Sequence, residues 1–343
     1  MFMKILITGG CGFVGSNLAI FLKKRMKKAQ ILSLDNLKRK GSEINEKRLK
    51  REKITNLRID VCDAKKIENL RKFNLVIDCC AEPAIEASKK NPDRVFNTNL
   101  VGTYNILKKC VKDKSNIIFL SSSRVYSIKS LKKLIKDLDL KRPLGINKTI
   151  DERFETESVS SLYGFTKIAS EKLIKEFFFE KKMKYIINRF GVIAGPWQFG
   201  KQDQGFVPLW IAKHLFKKKL SYIGFGGNGH QVRDIIHIED VCNIILVQIK
   251  KIKTIYNSTF NIGGGLKNSI SLKNLTERCI KLTGNKISIK KIKETSNYDI
   301  PYYVSNNDKV FKTYNWKPSI NIDKVLKDIY LWLISGNIKN YFK

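Results

Sequence analysis

Histidine is scarce in this sequence. Only His214, His230 and His237 occur, too few and too scattered to suggest a zinc site. The seven cysteines never form a CxxC pair, and their odd number and irregular spacing argue against a disulfide framework or a thiolate metal cluster. No metal is expected, and a reducing cytoplasm suits the chain. No uninterrupted apolar run reaches the roughly 18 residues that a spanning helix needs, and KILITGG follows the start without a charged leader or cleavage site. Neither membrane insertion nor secretion is expected. Acidic residues are also few, 31 against 66 lysines and arginines, for a formal charge of +35. Such an excess suits nucleic acid, a membrane surface or an acidic small molecule. The lysines, however, are spread along the whole chain among Ile and Asn, which points to solvated faces and away from nucleic-acid binding. The densest runs, KKRMKK (23–28) and FKKKL (216–220), flank apolar periodic segments and read as helix ends or turns.

What the chain does have is apolar material, 43% of 343 residues, enough for a large core. KILIT (4–8) reads as a strand buried on both faces, and GGCGFVGSNLAIFLKK turns helical in period. The turn between them carries Gly10, Gly12 and Gly15 as GxGxxG, or equally Gly9, Gly12 and Gly15 as GxxGxxG. Glycines here allow a tight turn and close approach of a pyrophosphate to a helix N-terminus. A second strand, QILSLDN (30–36), ends in Asp35, placed to accept hydrogen bonds from both hydroxyls of an adenosine ribose. A carboxylate there repels a 2′-phosphate and favours NAD over NADP; Arg39 and neighbouring lysines soften that preference without reversing it. Further strands near 57–61, 75–80 and 117–121 alternate with helical stretches. The pattern predicts an α/β fold with a Rossmann-type doubly wound parallel sheet, whose ligands lie beyond the carboxyl ends of the strands.

At one such end stand Ser121, Ser122 and Ser123. SLYGFTK (161–167) then sets Tyr163 and Lys167 one helical turn apart. An ammonium at that spacing and a positive nicotinamide ring both favour a phenolate, which makes the tyrosine a competent proton acceptor. Tyr104 and Lys108 repeat the spacing in YNILK, but no serine-ended strand or glycine turn precedes them. Context, not spacing, separates the two pairs.

TGGCGFVGSNL, DNLKRKG, NLVGTYNIL, SSSRVY and YGFTK together resemble the extended short-chain dehydrogenase/reductase family of nucleotide-sugar epimerases and dehydratases, over nearly the whole chain. The resemblance implies Ser122 as partner of the substrate hydroxyl, Tyr163 as acid/base and Lys167 as ribose anchor. It implies NAD contacts at Gly9, Gly12, Phe13, Val14, Gly15, Asp35, Asn36, Arg39, Asp60, Val61, Cys80 and Asn99, besides Tyr163 and Lys167. Substrate contacts would fall at Ser122, Gln204, Val207 and Arg233, the last on the nucleotide diphosphate. A homodimer through helices near 100–112 and 163–180 is also implied. The expected organisation is an NAD-binding domain of residues 1–188 and about 234–262, and a smaller C-terminal α/β substrate lobe of about 189–233 and 263–343.

DNLKRKG, WQF followed by QDQGFV, GNGHQVRD, FNIGGGLKNSISL and the long insertion between Tyr126 and Tyr163 most resemble members that invert C2 of a CDP-linked sugar. Three departures leave the sugar open: Asp78 stands in place of a usual histidine, Gly191 and Val192 where many members carry an asparagine, and Pro301 where an arginine often holds the diphosphate. Dehydration is disfavoured, because Ser123 and Arg124 occupy the positions of the dehydratase Asp-Glu pair. A 4-epimerase or a ketoreductase remains open. So does a catalytically idle relative that binds NAD and holds RNA or a protein partner, although such a protein has no need of Ser122, Tyr163 and Lys167 together.

Overall fold

Ile5, Leu6 and Ile7 have no exposed surface in β1 (Lys4–Thr8), as a strand covered on both faces requires. The computed structural model describes residues 3–83, 89–134, 147–201, 204–336 and 338–342. From β1 the chain alternates regularly through α1 (Phe13–Arg25), β2 (Gln30–Leu34), α2 (Ser42–Arg51), β3 (Asn56–Leu57), α3 (Ala64–Glu68) and β4 (Leu75–Asp78). There follow α4 (Pro92–Phe96), a π-helical turn (Asn97–Val101), α5 (Gly102–Asp113) and β5 (Asn116–Ser122). The chain then leaves for a second unit with α6 (Ile128–Leu134) and returns with α7 (Leu162–Phe178) and β6 (Tyr185–Phe190). After β7 (Val192–Ala194), α8 (Phe206–Leu215), β8 (Leu220–Ile223) and β9 (Val232–His237), α9 (Ile238–Lys251) and β10 (Ser258–Ile262) lead back to the first. The remainder, β11 (Ser269–Ser271), α10 (Leu272–Thr283), β12 (Ile289–Ile292), β13 (Tyr302–Tyr303), α11 (Asp308–Tyr314) and α12 (Ile322–Ser335), belongs to the second.

The first unit comprises Met1–Val125, Ser161–Arg189 and Val241–Phe260. Its seven-stranded sheet has the order β10-β6-β5-β4-β1-β2-β3, so the winding reverses between β1 and β4, where doubly wound sheets open a ligand crevice. The pairs β1/β2, β1/β4, β2/β3 and β4/β5 are all parallel. Leu6, Val76, Ile117 and Phe119 from the strands pack with Ile106, Leu107, Ile174 and Phe178 from α5 and α7. In FFF at 177–179, Phe178 is buried, Phe177 packs against the edge of this core and Phe179 is 70% exposed. The strand expected over 57–61 is shorter, because Asp60 turns the chain: its carboxylate accepts from the Cys62 amide at 3.0 Å and its carbonyl from the Asp63 amide at 2.9 Å.

The second unit comprises Tyr126–Ser160, Phe190–Asp240 and Asn261–Lys343. It holds a four-stranded sheet, β11-β9-β13 with β7 also paired to β9, and the parallel pair β12/β8. Of Tyr126–Ser160, the described residues, 126–134 and 147–160, group with this unit. Asn261 ties them in: its side chain accepts from the Tyr126 hydroxyl at 2.6 Å and donates to the Ile150 carbonyl at 2.8 Å, while Ile150 bridges to Ser305.

Candidate active site

The glycine turn is built for close approach. Gly9 adopts φ +60°, and a Cβ on Gly15 would stand 2.3 Å from the Gly9 carbonyl oxygen and 2.7 Å from the Gly10 Cα. Only hydrogen fits there. Phe13 and Val14 begin α1 immediately after Gly12, whose amide donates to the Gly9 carbonyl at 2.9 Å. Asp35 ties β2 to this turn, its carboxylate accepting from the amides of Cys11 at 3.1 Å and Leu37 at 2.8 Å. Burial raises its carboxyl above the usual range, and those amides offset the effect only in part. Ribose hydroxyls donating to it would relieve that cost. Asn36 donates to Asp60 at 2.9 Å, as does Lys38. Burial works to raise the Asp60 carboxyl, but the Cys62 amide, Lys38 and Asn36 prevail and hold it well below the ordinary carboxylate range. Val61 is buried beneath Gly102, Arg39 is half-buried, and Cys80 lies against the turn, its Cα 3.0 Å from where a Cβ of Gly9 would be. Burial pushes the Cys11 thiol up to about 12, so it is no nucleophile at neutral pH. Glycine cradle, β2 carboxylate and helix N-terminus suit NAD.

Tyr163 lies in the first turn of α7, where Ser161 caps the helix by accepting from the Gly164 amide at 3.1 Å. The ring is 8% exposed. Lys167, on the next turn, is buried: it donates to the Leu120 carbonyl at 2.8 Å and stands 4.4 Å above the Phe119 ring. Both partners are neutral, so they solvate the ammonium without cancelling its charge, the ring contributing about 2 kcal/mol when desolvated. Leu120 precedes Ser122 by two residues in β5, and the Ser122 hydroxyl accepts from the Arg124 amide at 3.2 Å. With that bond accepted, the hydroxyl keeps its proton to donate. The sequence's other pair behaves differently: Tyr104 is 41% exposed, packs edge-on against Phe177 and lies beneath the Lys108 ammonium at 5.0 Å.

Asn99, fully buried in the π-helical turn, accepts from the Glu82 amide at 2.7 Å and donates to Thr166 of α7 at 3.1 Å. A single π turn of this kind re-aims a side chain inside a helix. Asp78, in place of a usual histidine, accepts from Thr8 at 2.5 Å and Thr103 at 3.3 Å and so joins β1, β4 and α5. Sequence reasoning also missed Glu171 and Arg189, a buried ion pair at 2.7 Å. The available signal was Glu171 itself, one turn beyond Lys167 on the same helical face.

In the second unit, Arg233 donates to the carbonyls of Val232 at 2.7 Å and Ile300 at 2.6 Å. Pro301 adjoins Ile300 and accepts from the Val232 amide at 2.8 Å, so it brings backbone and no cation. Gly191 has a local cause: a Cβ there would stand 2.9 Å from the Asp234 carboxylate, which holds the amides of Gly265 and Ser305. Gln204 exchanges backbone hydrogen bonds with Lys201 just before α8, whereas Val207 is fully buried within that helix. Gln202 and Asp203 of QDQGFV lie outside the described residues. Among the described residues, no helix is long and apolar enough to cross a membrane, and no group of His, Cys, Asp and Glu is placed to hold a metal.

The chain belongs to the NAD dependent epimerase/dehydratase family, whose profile matches residues 5–263. It is 29% identical to CDP-paratose 2-epimerase of Salmonella typhi, with 93% of this chain and 100% of that one covered. With UDP-glucuronate 4-epimerase of Thermodesulfobacterium geofontis the identity is 27%, over 95% of each chain. Among solved structures, UDP-glucuronic acid 4-epimerase from Bacillus cereus, in complex with UDP-glucuronic acid and NAD, shares the fold at a TM-score of 0.82. That match is 23% identical and covers 97% of this chain and 99% of the other.

Proposed function

We propose that this protein epimerises a nucleotide-diphosphate sugar, at C2 of a CDP-linked sugar. The observation that carries the reading is full-length similarity to a CDP-paratose 2-epimerase, in a chain that keeps Ser122, Tyr163 and Lys167 but has Ser123 and Arg124 where a dehydratase would need acids. Bound NAD supplies the hydride acceptor and donor. Tyr163 takes the proton of the sugar hydroxyl and later returns it, Ser122 hydrogen-bonds that oxygen, and the Lys167 ammonium supports negative charge on the phenol oxygen while holding the nicotinamide ribose. Asp35 and Asp60, with Asn36, hold the adenosine end, and Asn99 the nicotinamide end. Arg233 meets the diphosphate and Gln204 the substrate, whereas Val207, with no exposed surface, packs inside α8 and makes no substrate contact. A second reading, inversion at C4 of a UDP-sugar, has the support of the 27% identical UDP-glucuronate 4-epimerase.

Proton NMR of CDP-paratose, and separately of UDP- and CDP-glucose, incubated with protein and NAD, tests both readings. The C2 epimer of the CDP-sugar is expected, with no net NADH. A C4 epimer of a UDP-sugar in its place would overturn the first reading in favour of the second, and no epimer of any sugar would remove both.

The protein's own partner in this reading is a second copy, in a reducing cytoplasm. Phe96, Tyr104 and Phe165 are each at least 41% exposed on α4, α5 and α7, an apolar group of the kind that association covers. Sedimentation is expected to give a dimer that Tyr104→Glu combined with Phe165→Glu converts to monomer; a dimer unmoved by both changes would assign the contact to another face.

A further inference from the structure

Lys167 has a neighbour that ought to capture it. Glu171 is one helical turn further along α7, fully buried, and a buried carboxylate four residues from an ammonium is drawn into an ion pair with it. The same protein shows that outcome elsewhere: Lys109 and Asp113, at the same spacing and equally buried on α5, pair at 2.7 Å. Lys167 instead bonds the Leu120 carbonyl at 2.8 Å. What differs is Arg189. From β6 its Nε donates to the two Glu171 oxygens at 3.0 and 3.1 Å and its Nη2 to Oε2 at 2.7 Å, a fork matched to a carboxylate. Glu171 in turn accepts from the Ser121 hydroxyl at 2.5 Å. Successive turns of α7 thus grip successive residues of β5, Leu120 and Ser121, directly before Ser122.

We infer that Arg189 and Glu171 are positioning residues: Arg189 occupies the Glu171 carboxylate, so that Lys167 stays on β5 and presents its charge to Tyr163 and to the nicotinamide ribose. This rests on the role of Lys167 in the function proposed above.

The test compares affinity for NAD with affinity for ADP, which lacks the nicotinamide riboside, by calorimetry well below the unfolding temperature. Arg189→Met frees Glu171 to take Lys167, and NAD binding is expected to weaken about tenfold, with ADP binding unmoved. Adding Glu171→Gln removes the competitor, and the double variant is expected to regain most of the lost NAD affinity. If Arg189→Met does not fold, Arg189→Lys, which keeps the charge but loses the fork, is expected to show the same selective loss in milder form. Equal losses for NAD and ADP, no loss for NAD, or no recovery in the double variant would each reduce the pair to a purely structural one. Should the unaltered protein bind NAD yet turn over no nucleotide sugar, the function proposed above fails, while the titration still decides this inference.

Discussion

Tyr163→Phe is expected to lower kcat by roughly 10²- to 10⁴-fold, the range for loss of a positioned acid/base group, while NAD still binds. The substitution removes one oxygen from a ring that is 8% exposed, so it opens no cavity and leaves α7 and its Ser161 cap in place. Lys167 keeps its bond to the Leu120 carbonyl, so on the role proposed for it NAD affinity is expected to hold. What disappears is the only group of the three that can both take and return the substrate proton: the Ser122 hydroxyl is weakly basic and the Lys167 ammonium has no lone pair to offer. Tyr104→Phe serves as the internal control, because that ring meets Phe177 and Lys108 at the surface, and its turnover is expected to match the unaltered protein. Steady-state kinetics on the epimerised sugar decides the matter. A Tyr163→Phe enzyme within about tenfold of full activity would move the proton transfer to another group.

The difference between those two tyrosines also shows what a sequence can reveal. Gly9 to Gly15 and Asp35 were legible because their geometry is local: one turn, one helix N-terminus and the end of the next strand. Tyr163 and Lys167 were legible as a pair, and Ser122 as the end of a buried strand. Asp78 was legible only as a departure, since its partners Thr8 and Thr103 lie 70 and 25 residues away. Arg189 is a similar case. Nothing in the INRF stretch points to Glu171, 18 residues earlier in the chain, which only the fold of β6 brings to Arg189. Tyr126 meets Asn261, 135 residues further along the chain, and nothing in local periodicity carries that information. Tertiary pairing of polar groups decided each of these positions.

Gly15→Ala is the smallest change that should strip the protein of its cofactor. The new methyl would sit 2.3 Å from the Gly9 carbonyl oxygen and 2.7 Å from the Gly10 Cα, and neither atom can rotate away as a side chain would. The turn must open, at a cost of about 1–3 kcal/mol for overpacking. Spread over the pyrophosphate site, that corresponds to roughly tenfold to hundredfold in affinity. Because NAD and ADP share the pyrophosphate, both are expected to weaken together, unlike the selective loss of NAD expected when Arg189 is changed. Gly284→Ala separates site strain from general strain. Gly284 also has positive φ, +70°, at the end of α10, but nothing lies within 4 Å of its would-be Cβ. It should lose about 1 kcal/mol of stability through its backbone alone and bind NAD as before. Calorimetric titration of both variants with NAD and ADP distinguishes the cases: full NAD affinity in Gly15→Ala would mean that the pyrophosphate does not lie on this turn, and the adenosine placement at Asp35 would fall with it.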